Sequence, residues 1–133
     1  MYYRGLGVPQ DLAEALTWYR KAADQGHAGA EFSIATMYDK GQGVPQDFKM
    51  AVTWYQKAAD RGDADTQGSL GSMCGNGQGV PKDYVRAHMW FNLAAGAGNH
   101  TALQNRDAVA RLMTPAQIEE AQKLAREWKP KSE

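Results

Sequence analysis

The residues able to do chemistry are few and scattered. His27, His88, His100 and Cys74 are the strongest metal-ligating types in the chain. Zinc sites take such residues in tight pairs, a few positions apart. No two of these four share that spacing, so the histidines read as solvated or loop residues and no metal is expected. Glu119 and Glu120 are adjacent carboxylates, but on a polar helix face they read as solvated surface rather than an acid/base pair. Three Gly-x-Gly-Val-Pro stretches resemble phosphate cradles, yet each runs into proline and reads as a turn. Trp18, Trp54 and Trp90 are the most suggestive set. Exposed, they would form a ladder for a peptide or sugar. Each lies about 60° around a helix from Ala15, Ala51 or Ala87, which favours core or boundary packing. No residue is assigned as catalytic or cofactor-binding, and no cofactor is implied.

The elements that would position these residues come from an internal period. Gly5-Leu6-Gly7-Val8-Pro9-Gln10-Asp11, Gly41-Gln42-Gly43-Val44-Pro45-Gln46-Asp47 and Gly77-Gln78-Gly79-Val80-Pro81-Lys82-Asp83 follow one another at 36 residues. The period continues through Trp18, Trp54 and Trp90, then Ala22-Ala23, Ala58-Ala59 and Ala94-Ala95, then Gly26, Gly62 and Gly98. Residues 5–40 and 41–76 share 18 identities in 36 positions without a gap.

Each period reads as two helices. Asp11 is expected to cap the first. Leu12, Ala15, Leu16, Tyr19, Ala22 and Ala23 recur as one apolar stripe, and Gly26 supplies a left-handed end. Ala30, Ile34, Met37 and Tyr38 face inward from the second. Helices are expected near 11–25, 28–40, 47–61, 64–75, 83–97, 100–112 and 115–128. Neither helix of a unit can bury its face alone, so units must stack. The fold class is all-α: an α/α solenoid of three units, 5–40, 41–76 and 77–112, closed by a capping helix at 114–128, with 1–133 a single domain. Gly68, Gly71 and Gly75 make 64–76 the weakest helix by propensity, with the fastest internal hydrogen exchange. Arg106 stands where Ile34 and Leu70 stand, so 100–112 should pack differently. Thr114-Pro115-Ala116-Gln117 opens the last helix as a capping box. Residues 129–133 are expected to fray.

The pattern of Gly-x-Gly-Val-x-x-Asp, the alanines at 15, 51 and 87, Trp-Tyr, Lys-Ala-Ala and Gly resembles the Sel1-like repeat, a relative of tetratricopeptide solenoids. The tail, from Trp90-Phe91-Asn92-Leu93 through Met113-Thr114-Pro115 to Trp128, is similar to the ending of bacterial members. The resemblance implies a non-enzymatic adaptor that binds a peptide or partner protein on a concave side lined by the first helices. It also leaves an enzyme open, because cysteine-rich relatives are linked to penicillin binding and β-lactam hydrolysis. This chain has one cysteine and no Ser-x-x-Lys. Cys74 could form a thiolate pair with a histidine, or, at an aromatic core position of the repeat, be a buried inert thiol.

Composition narrows the partners. Lys+Arg and Asp+Glu both number 15, for zero net charge. Nucleic acid and anionic membrane surfaces would need a basic surface, and no apolar run approaches a bilayer span. The chain therefore reads as soluble, in a cytoplasmic or exported setting. Alanine occurs 21 times and valine plus isoleucine 8 times, which favours helix over sheet. The side of the first helices that packing does not dictate is the candidate partner surface: Glu14, Thr17 and Lys21, then Met50, Thr53 and Lys57, then Arg86, Met89 and Leu93. Its apolar drift either serves a partner or seats the C-terminal helix. Met1–Arg4 align with the end of a second helix, so either upstream repeats precede them or the stack starts on a raw edge. That edge, at Leu12, Leu16 and Tyr19, would favour a homodimer.

Overall fold

The structure, a computed structural model, describes the backbone of residues 8–131 and the side chains of residues 12–131. Those residues form seven helices and no strand: α1 (Val8–Asp24), α2 (Ala28–Lys40), α3 (Phe48–Asp60), α4 (Ala64–Asn76), α5 (Tyr84–Gly96), α6 (His100–Ala110) and α7 (Pro115–Glu127). Each helix from α1 to α5 packs on the next one in sequence, and α7 turns back onto α5. That is a right-order α/α solenoid with a closing helix. No helix among the described residues is long and apolar enough to cross a membrane.

The helix boundaries are written locally. Asp47, Asp63, Asp83 and Asn99 sit extended, and their side chains accept the N–H of Met50, Thr66, Arg86 and Ala102. Each satisfies a donor that an α-helix leaves free. Thr114 and Gln117 form the reciprocal capping box over Pro115. Gly41 and Gly77 end α2 and α4 in the left-handed region, donating to Met37 O and Met73 O. The chain then returns: Asp47 N–H donates to Tyr38 O at 2.9 Å and Asp83 N–H to Cys74 O at 2.8 Å. The second loop glycine is required by contact. A Cβ on Gly79 would stand 2.5 Å from the Phe48 carbonyl oxygen, and one on Gly43 would stand 2.7 Å from Leu12 Cβ.

Asp11 departs from the repeat. It lies inside α1, which starts at Val8 with Pro9 in its first turn, where a missing N–H costs nothing. In the later units the capping aspartate is held extended by the bond to the preceding second helix. The residue in that place for Asp11 is Tyr2, outside the described residues, as is the whole of Met1–Arg4. The C-terminal expectation also changes. Lys131 N–H donates to Asp60 O at 2.6 Å, so 129–131 lie against the end of α3 instead of fraying.

Alanine sets the spacing of the stack. Ala35, Ala51, Ala58, Ala59, Ala87 and Ala94 are fully buried, and their short side chains let helices approach closely. Tyr55, Leu70, Trp90 and Phe91 fill the wider gaps, in one cluster with all of these alanines but Ala58. α6 does pack differently: only Ala102 and Val109 of it are buried, and Arg106 Nη1 donates to Asn92 Oδ1 at 2.8 Å.

α4 is helical throughout despite its glycines, and two of them have opposite roles. A Cβ on Gly71 would meet the Phe91 ring at 2.8 Å, whereas the nearest atom to one on Gly68 is Asn99 Nδ2 at 4.0 Å. Gly68→Ala is expected to raise stability in urea by about 0.5–1 kcal/mol through lost unfolded-state freedom. Gly71→Ala is expected to lower it, because Phe91 must move. Equal effects of the two would sink this distinction.

Candidate functional site

The first helices α1, α3 and α5 carry the candidate surface. Glu14, Thr17, Lys21, Thr53, Lys57 and Arg86 are exposed and Met50 is half-buried. Thr17 and Thr53 turn their hydroxyls onto Ala13 O and Lys49 O. Met89 is buried and Leu93 half-buried, in the cluster that also holds Ala125 and Trp128. The apolar character of Met89 is thus used inside the stack, and Leu93 is partly covered by the same cluster.

The tryptophans form a gradient, not a ladder. Trp18 is 61% exposed and Trp90 is 2% exposed, with Trp54 between them. Lys21 Nζ stands 4.7 Å from the Trp18 ring centre and Lys57 Nζ 4.8 Å from that of Trp54, a cation–π pair one helical turn apart. In the third unit Leu93 replaces the lysine. There Trp128 takes its place, packing edge-on against Trp90 with ring centres 6.2 Å apart.

A charged cavity of about 380 Å³ lies where α2 and α3 meet, beside the tail. Its floor is a buried ion pair: Glu31, 2% exposed, accepts from Arg61 Nε at 2.8 Å and Nη2 at 3.1 Å. Asp60 and Lys131 pair at its edge, 3.6 Å apart. Sequence reasoning missed this pair. The signal was available in the repeat, because positions 31, 67 and 103 read Glu, Gln, Leu while 25, 61 and 97 read Gln, Arg, Ala. Gln67 donates its amide to Ala59 O at 3.1 Å. Glu31 cannot donate, so it needs a cation. Arg61→Ala is expected to cost about 3 kcal/mol in urea, because a carboxylate stays buried uncompensated. Adding Glu31→Gln should recover most of that. A single variant within about 0.5 kcal/mol of the original would show that water reaches Glu31 freely.

The histidines divide. His27 caps α2 through its ring, accepting from Ala30 N–H at 3.1 Å, and His100 is exposed. His88 corrects the expectation of solvation. It is 3% exposed with Nδ1 unpartnered, at the position Leu16 and Val52 hold in the earlier units. Burial holds its pKa below the usual 6.5; Arg106 pushes the same way and Asp107 opposes. Folded His88 is therefore neutral. Its contribution is fully present above pH about 6.5 and is lost as acid protonates the unfolded chain first. His88→Leu should flatten the loss of stability between pH 7 and 5, where wild type falls by at most about 1.4 kcal/mol per pH unit from this group. Parallel curves for the two proteins would remove His88 as the acid-sensitive group.

Cys74 is buried, and burial pushes its thiol up to about 11, so it is an inert thiol. Glu119 and Glu120 are exposed on α7. The glycine loops serve as helix ends and turns, Gly41, Gly43, Gly77 and Gly79 all having positive φ. Among the described residues no three His, Cys, Asp or Glu side chains cluster in a way that could hold a metal.

Paired helices at a fixed period, stacked only on their neighbours, define a repeat solenoid. The profile of the Sel1 repeat matches residues 1–27, 28–63 and 64–99, and the chain belongs to that family. The profile divides the same 36-residue period at another phase, with α2 and α3 in one unit and α4 and α5 in the next. Comparison with curated proteins finds no match. Among solved structures, the chain is similar to c5321, a protective antigen present in uropathogenic Escherichia coli strains displaying an SLR fold, with 33% identity and a TM-score of 0.84. It is also similar to a Sel1 repeat protein from Oxalobacter formigenes, with 36% identity and a TM-score of 0.69. These likenesses cover 87% and 71% of this chain, but only 25% and 39% of those proteins.

Proposed function

We propose that the chain is a non-enzymatic protein-interaction scaffold. It holds a peptide or helix of a partner protein against the open part of its first-helix face. The family is one of interaction repeats, and α7 offers an internal example of the geometry. α7 seats on α5 through Trp128 against Trp90, and its tail runs on to Asp60 at the end of α3. Toward α1 the equivalent tryptophan is exposed, so the surface that α7 uses in the third unit stays accessible in the first. Glu14, Thr17, Lys21, Met50, Thr53, Lys57 and Arg86 are the residues available there. With Lys21, Lys57 and Arg86 against Glu14, this row suits a segment carrying acidic and aromatic side chains.

The test is affinity capture with the full chain and with Trp18→Ala and Lys57→Glu, each checked for helicity by circular dichroism. The expected result is loss, by tenfold or more, of the proteins that wild type retains. An unchanged set of captured proteins would falsify the assignment of this face. A second copy of the chain is an alternative occupant. Tyr19 is half-buried where Tyr55 one unit later is buried, which leaves apolar ring surface on α1. Light scattering should then show a dimer that Leu16→Glu converts to monomer; a monomer at every concentration removes this occupant.

A further inference from the structure

A groove runs between the second helices α4 and α6 rather than along the first-helix row. It consists of two adjoining hollows that share Ser72 and Asn105. One, of about 250 Å³, is also lined by Asp65, Gly68, Ser69, Asn99 and Thr101. The other, of about 440 Å³, continues past Gly75 and Asn76 to Lys82, Tyr84 and Leu112. Their size suits a small ligand. Groups that fill the corresponding places in the first unit are missing here. There Phe32 packs on Tyr55 with ring centres 5.7 Å apart, and Asp39 accepts from the Tyr55 hydroxyl at 3.2 Å. One period later these residues are Gly68, Phe91 and Gly75. A Cβ on Gly68 would meet nothing nearer than Asn99 Nδ2 at 4.0 Å.

Unpartnered polar groups collect in this groove. Residues 12–131 hold nine serines and threonines. Six engage their hydroxyls within the fold. Thr17, Ser33, Thr36 and Thr53 donate to the carbonyl four residues back, Thr66 donates to Asp63, and Thr114 caps α7. The hydroxyls of the other three, Ser69, Ser72 and Thr101, have no partner among the described residues, and all three line the groove. The asparagines divide in the same way. Asn92 is engaged with Arg106, and Asn99 with Asp65 and the start of α6. Asn76 and Asn105 have no partner among the described residues, and both line the groove.

These five side chains are neutral, and each can both donate and accept. The groove's two charges are opposite in sign and stand at its two ends. Asp65 is bonded to Asn99, and Lys82 Nζ lies 5.8 Å from the Tyr84 ring centre. An ionic ligand therefore finds no cluster of charge to match. A neutral ligand rich in hydroxyls matches every member of the set. Tyr84 is half-buried and Leu112 is 62% exposed, which gives one end an apolar floor for the C–H face of a sugar ring. An extended peptide would use the same polar groups, but it also needs pockets for its alternate side chains. At the Ser69–Thr101 end the only apolar side chain is that of Ala102, which is buried.

We propose that the α4–α6 groove binds a short neutral oligosaccharide. Its hydroxyls bond to Ser69, Ser72, Thr101, Asn76 and Asn105, and one ring lies on Tyr84. This goes beyond the scaffold assignment and does not rest on it.

The probes are cellotriose, maltotriose and N-acetylated chitotriose, titrated into the ¹⁵N-labelled full chain to about 20 mM, enough to register a millimolar Kd. At least one is expected to shift the side-chain amide signals of Asn76 and Asn105 while that of Gln117, on α7, stays in place. Ser72→Ala combined with Asn105→Ala removes two unpartnered groups. Helicity and Tm should hold, and affinity should fall about tenfold or more. Trp18→Ala should leave affinity unchanged. Absence of a shift with all three sugars overturns the proposal, as does an equal shift at Gln117 or a double variant within about twofold of the original affinity. A matching loss in Trp18→Ala would place the sugar on the first-helix row and overturn the groove. N-acetyl-tetraglycine amide offers main-chain groups alone. If it binds at the same asparagines more tightly than the best sugar, the groove is a peptide site and the carbohydrate assignment falls; weaker or absent binding upholds it.

Discussion

The stack depends on one close approach. At both junctions the loop leaving a second helix presses its second glycine onto the N-terminal part of the first helix of the unit it leaves, Gly43 on Leu12 and Gly79 on Phe48. No side chain fits there. With a Cβ excluded, the backbone of one unit rests on the backbone of the previous one, and the stagger between them is set by main-chain geometry. The bonds from Asp47 and Asp83 to Tyr38 O and Cys74 O fix the other end of the same loop. Side chains then fill a space whose dimensions are already decided, which is why small residues dominate the core and why its few large ones, such as Trp90 and Phe91, must fit their places closely.

Much of this was legible in the sequence, because a repeated position reports its environment several times over. Asp47 and Asp83 as caps, Gly41 and Gly77 as left-handed ends, and the Thr114–Gln117 box all follow from residue type at fixed offset. What a single sequence conceals is what neighbours do to equivalent positions. Trp18, Trp54 and Trp90 are identical in sequence and lie in three different environments, because α7 covers one end of the face. Asp11 carries the capping residue type without the capping position, because α1 starts at Val8 and encloses it. His88 occupies a leucine and valine position, yet residue type alone suggested solvent.

The candidate surface was legible only in part. The exposed members of the row follow from helical periodicity. Met89 and Leu93 have the same periodicity, but Met89 is buried and Leu93 half-buried in the cluster that holds Trp90 and Trp128. The charged cavity escaped notice because the two charges of its floor, Glu31 and Arg61, lie 30 residues apart, and neither is unusual by itself. Only the joint variation of positions 31 and 61 along the repeat carries that signal.

The Glu31–Arg61 pair also limits how far the units are interchangeable. Solenoids grow by duplication, and near-identical units invite the view that they can be shuffled or multiplied at will. Here the first junction is keyed by charge and the second is not: Gln67 satisfies a carbonyl, and position 97 is Ala. Placing the α2 sequence before a unit ending like α5 would bury a carboxylate opposite a methyl group. The order of the units is thereby written into the interior, and an array built from this chain would have to be extended from its second junction rather than its first.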